Sequence, residues 1–116
     1  SPEEMLELAA LAPDLWLCLD VGHLYITSFA FGFDYLEGLK TIIGSGKVAS
    51  CHLHANSSEP GRYRDDHSSL KEQGFPLEEV LKIVAASRAN LIVEAVEDLA
   101  GNTRIVQKAA AGREIL

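Results

Sequence analysis

The residues in this chain with the most chemistry to offer are a scattered set of carboxylates and histidines. They are Asp20 with His23, the pair His52-Leu-His54, the run Asp65-Asp66-His67, and Glu94. Carboxylate oxygens and imidazole nitrogens in this mixture suit borderline divalent ions such as Zn²⁺, Mn²⁺ or Co²⁺. Taken singly, each has a plainer reading. Asp20 beside Gly22 can close an Asx turn, and His23 can be a hydrogen-bonded loop histidine. His52 can be a core histidine, Asp65-Asp66-His67 a solvated patch, and Glu94 the start of a surface run with Glu97 and Asp98. Taken together, all 4 histidines fall at the ends of expected strands or in a long loop, and none on an expected helix. One convergent metal site explains that distribution more economically than several separate accidents.

Those residues need strands that end at a common place. Leu15 to Leu19 is an apolar run closed by Asp20, and its hydrophobicity on both faces predicts a buried parallel strand over 16–20. Val48 to His54 predicts a second strand and 91–94 a third. Between them the apolar spacing predicts helices at 3–12, 35–43, 76–88 and 97–111, the last broken early by Gly101. Tyr25 through Tyr35, with Phe29, Phe31 and Phe33, reads as an aromatic loop that can wall a pocket or pack against other structure. The stretch Ala55 to Phe75, rich in Ser, Gly, Asp and Arg, is a loop of about twenty residues, a length that usually carries function. The order α-βα-βα-βα argues for an α/β fold with parallel strands covered by helices. In such folds ligands gather at the C-terminal strand ends, where the loops converge.

Composition narrows the setting. With 47% hydrophobic and 23% charged residues the chain is expected to fold, and a net charge of -7 argues against broad, charge-driven nucleic-acid binding. No run is long enough to span a membrane. Cys18 and Cys51 sit inside apolar runs, as small buried thiols of a reduced, cytoplasmic protein do. Gly44-Ser-Gly-Lys47 follows a helix and precedes a strand, the wrong order for a phosphate loop, so it reads as a turn. Arg62 and Arg64 can grip a phosphate or simply solubilise their loop.

Four of these segments carry a family resemblance. Asp20-Val-Gly-His23 resembles the Asp-x-x-His metal motif of the xylose-isomerase-like (β/α)₈ TIM barrels, which include the apurinic endonucleases of the endonuclease IV type (AP endonuclease family 2). His52-Leu-His-Ala-Asn56 resembles their next strand end, whose first histidine is a ligand. Asp65-Asp-His67 follows at the distance of their Asp-x-His pair, and Ile92-Val-Glu94 is similar to their last ligating glutamate. Ala55 stands where family members often have Asp, and Lys71-Glu-Gln-Gly74 replaces a Gly-x-Gly.

The resemblance implies that residues 1–116 are the C-terminal three βα units of such a barrel, incomplete by themselves. It implies Asp20, His23, His52, Asp65, His67 and Glu94 as ligands of Zn²⁺ or Mn²⁺, with catalytic roles for Asp20, His52 and Glu94. The implied reaction in a full-length parent is metal-dependent phosphodiester hydrolysis on abasic DNA. Its rivals are isomerisation or epimerisation of a sugar or sugar phosphate by one ion, and a barrel fragment without catalysis. Three strands cannot close a barrel, so a missing N-terminal half or a homo-oligomer is expected to cover the strand edges.

Overall fold

The three apolar runs pair as one parallel sheet in the order β1-β2-β3. A computed structural model describes residues 1–114, with β1 at Leu17–Asp20, β2 at Val48–Leu53 and β3 at Asn90–Val93. The helices are α1 (Pro2–Leu11), α2 (Val21–Phe31), α3 (Tyr35–Gly44), α4 (Leu77–Ala85) and α5 (Leu99–Glu114). Neighbouring packing runs α1 to α3, α3 to α4 and α4 to α5, a single helical layer. The shortest dimension of 19 Å matches one sheet and one layer of helices. Among the described residues the sheet is open and does not close into a barrel.

Spacing explains the core. Leu39 and Ile42 on α3, and Val80 and Val84 on α4, recur at three or four residues and are buried completely or nearly so. They face Leu17, Leu19, Cys51 and Leu53 of the strands in one cluster. Truncating a side chain as enclosed as Leu39 to Ala should cost about 2–5 kcal/mol. Asp34 caps α3 by accepting the Glu37 N–H at 2.9 Å, and Ser1 caps α1 with a reciprocal Glu4 contact.

Several expectations need correcting. The strands are not buried on both faces. Leu17 and Leu19 are covered, whereas Cys18, Ala49 and Ile92 are exposed. The helices lie over one face only, which leaves the other bare, and Cys18 is accordingly an exposed thiol. The aromatic loop is largely helix. Val21–Phe31 is helical because Asp20 caps it, and His23 therefore stands in a first helical turn. Tyr25 packs edge-on against Phe29, Tyr35 and Phe75 at 4.9–5.2 Å, so these rings fasten α2 to its surroundings, while Phe31 is exposed.

The last helix runs unbroken from Leu99. Gly101 belongs inside it because a Cβ there would overlap the Asp98 carboxylate, which accepts the Gly101 N–H. Pro76 sits at the N-cap of α4, one place before the first turn. Gly44 to Lys47 is the expected turn, with the Lys47 ammonium on the Pro13 carbonyl at 2.6 Å and over the Trp16 ring.

Candidate metal centre

Strand register assembles the first part of the site. Asp20 of β1 pairs with His52 of β2, and His52 with Ile92 of β3. Residues two apart on a strand share a face, so Glu94, just past β3, joins Asp20 and His52 on the bare side. Its N–H continues the ladder to the Leu53 carbonyl at 2.9 Å. The donor atoms of Asp20, His52 and Glu94 lie within 4.8 Å of one another. His52 Nδ1 is 2.9 Å from Glu94 Oε1.

The second part is built by the long loop and α2. The loop leaves β2 and returns at an antiparallel pair, Ala55 with Ser68, which closes its base. Inside, Ser57 donates from its N–H and its hydroxyl to Asp66, and Ser58 exchanges bonds with the Arg64 backbone. Buried Asn56 donates to the Gly22 carbonyl at 2.9 Å, tying the loop to α2. Buried Asn102 ties its far end. Its Oδ1 accepts the Leu70 N–H at 2.8 Å, and its Nδ2 donates to the Glu97 and Asp98 carbonyls. These ties carry Asp65 and His67 back over the strand ends. His67 takes a left-handed backbone, φ 43°, a strained conformation for a non-glycine residue, and its carbonyl is held by the Val96 N–H.

His23, His54, Asp65 and His67 then form a second group, also with donor atoms within 4.8 Å. Asp65 lies between two rings, 3.0 Å from His23 Nε2 and 3.2 Å from His67 Nε2. Asp20 links the groups, with Oδ2 at 3.3 Å from His23 Nδ1 and Oδ1 at 2.7 Å from His54 Nε2. All six residues expected from the sequence are brought together. Asp66 is not; it serves the loop through Ser57. His54 is the residue sequence reasoning left without a role, although its position two residues after His52 put it on the same face.

The donor set fits a divalent ion. His54 Nδ1 and His67 Nδ1 face the backbone carbonyls of Ala55 and Glu94 at 3.3 and 3.4 Å. A neutral imidazole that spends its one N–H on a carbonyl turns a lone pair outward from the other nitrogen, the usual arrangement of a metal-ligating histidine. His54 Nε2 is buried and makes no hydrogen bond of acceptable geometry. Burial raises the Asp20 carboxyl, but the His54 contact and the His23 N–H outweigh it and hold its pKa below the ordinary value. Burial lowers His54, yet the adjacent Asp20 carboxylate brings its pKa above the ordinary imidazole value. Each partner thus favours charge on the other.

No helix among the described residues is long and apolar enough to cross a membrane. Compared with known proteins, the chain matches no family model, no curated protein and no solved structure.

Proposed function

We propose that this chain is the late-strand wall of a metal-dependent hydrolase of the endonuclease IV type. The reaction, in a full-length parent barrel, is phosphodiester cleavage at abasic sites. The reading rests on one observation: the donors divide into two groups at one end of a parallel sheet. The two donor groups would hold two divalent ions, Zn²⁺ or Mn²⁺, which when bound would supply the charge that neutralises a phosphate and activates water. Asp20, His52 and Glu94 would hold one ion at the C-terminal ends of the strands, the end from which substrate approaches. Arg62 and Arg64 are exposed on the loop that carries Asp65, and in this reading they grip the phosphate backbone. The bare face and the edge strands β1 and β3 are the surfaces that an N-terminal barrel half, or a second copy of the chain, covers.

The second reading is a sugar isomerase or epimerase. Asp20, His52 and Glu94 supply three ligands of a single ion, with an upstream Glu of the parent as the fourth, and the net charge of -7 favours a small substrate over DNA. Ion stoichiometry separates the two. Metal analysis after equilibration with Zn²⁺ should find two ions per chain; one ion, lost on His52→Ala and kept on Asp65→Ala, would favour the isomerase. Catalysis needs ions held from several sides and a substrate pressed against them. The purified chain should therefore turn over neither abasic-site DNA nor a panel of ketoses. Metal-dependent turnover abolished by His52→Ala would show that the bare face needs no cover.

A further inference from the structure

The geometry points to His54 as a seventh metal ligand, whose Nε2 completes the set of His23, Asp65 and His67 around the loop ion. This deepens the two-ion reading and rests on it. The family resemblance assigns ligation only to the first histidine of the His52-Leu-His54 pair, so it does not supply this role.

Three observations converge on that nitrogen. First, His54 is 0% exposed, and its Nε2 lacks a hydrogen-bond partner. An orphaned buried polar atom costs about 1–3 kcal/mol, which a native fold seldom leaves uncompensated. Second, Nε2 lies only 2.7 Å from Asp20 Oδ1 without pointing at it as a donor must. The donor atoms of His23, His54, Asp65 and His67 lie within 4.8 Å of one another, close enough for their lone pairs to converge on one ion. Third, the chain leaves room for the ring. It lies directly over Gly22, where any Cβ would overlap it, and Asn56 fastens the Gly22 carbonyl in place.

One contact sets a condition. The His54 and His67 rings stack at 3.8 Å with planes 8° apart. Parallel rings at that separation cannot hold one ion in both planes, so ion capture must tilt one of them out of the stack. The His67 ring is the freer, because it is partly exposed on the loop while His54 is enclosed. With His54 included, the loop ion has three imidazoles and a carboxylate, a closed four-ligand set suited to a structural role. The Asp20, His52 and Glu94 ion keeps open positions and is the one that meets substrate.

Nitrogen-detected imidazole spectra of the intact chain during Zn²⁺ titration test the assignment without any mutation. The His54 Nε2 resonance should move to a metal-bound position, and the His67 ring protons should lose their stacking shift. A His54→Gln variant, confirmed as folded by its amide spectrum, should bind the loop ion at least about tenfold more weakly and the strand-end ion unchanged. In the Co²⁺ form it should also lose the intense visible absorption of a four-coordinate site. Two ions bound with His54 Nε2 unmoved would overturn the role of His54 and leave the two-ion reading standing. A wild-type chain that binds no ion, or one ion only, would remove both.

Discussion

The two donor groups sit side by side but are built in different ways. Asp20, His52 and Glu94 stand at the ends of adjacent strands, and their meeting follows from register and from two-residue alternation. His23, His54, Asp65 and His67 come from a helix turn, a strand extension and a long loop. Their meeting depends on a few buried amides and one strained backbone position. A strand-end group inherits the rigidity of the sheet. A loop-borne group needs fasteners of its own, and Asn56 and Asn102 supply them.

The most disruptive break in this comparison is Asp20→Ala, because Asp20 touches both groups and caps α2. Both ions should bind about a hundredfold more weakly or worse, and loss of the cap should cost about 1 kcal/mol. Calorimetric Zn²⁺ titration with a thermal melt reads both; a change in only one ion would mean the groups are independent of Asp20 as a link.

Next come paired single-site removals. His52→Ala or Glu94→Ala should abolish the strand-end ion and spare the loop ion, and Asp65→Ala should do the reverse. Lys47→Ala and Phe31→Ala should leave both alone. Equal affinities across all these variants would dispose of the site.

Asn102→Ala tests the fasteners directly. It leaves the Leu70 N–H without its acceptor and should destabilise the chain by about 1–3 kcal/mol. Loop-ion affinity should fall about tenfold with the strand-end ion unmoved, since Asn102 bonds to the loop and the start of α5 alone. A parallel fall in both affinities would show that the loop is not a separate unit.

The smallest effect belongs to Asp98, whose pKa is lowered by the Gly101 N–H and then by Lys71 at 3.3 Å. A carboxylate with a depressed folded pKa stabilises fully above its unfolded value, and the effect is lost as pH falls through the folded one. The melting difference between wild type and Asp98→Asn should thus be slight at pH 6 and vanish toward strongly acid solution. A difference that grows with acidity would reverse the sign of this argument.

Much of this was legible in the sequence because it rests on local rules. Apolar runs closed by Asp20, His54 and Glu94 marked the strands and where their polar ends would gather. Period-2 alternation needs no knowledge of the rest of the chain, so the strand-end group could be read in advance. Other features could not. Tyr25 through Tyr35 read as a loop because Gly22 and the aromatic residues obscure the helical period; the Asp20 cap and the ring cluster on Tyr25 make Val21–Phe31 a helix. Cys18 read as buried because an apolar run does not show which faces will be covered. His54 read as an undistinguished strand-end histidine, because burial under a returning loop is a long-range event. Residue types and strand spacing were determined by the sequence alone. Whether a nitrogen is enclosed, orphaned and close to a carboxylate was decided only when segments distant in the chain packed together, since desolvation and donor geometry belong to the assembled surroundings and not to any one segment.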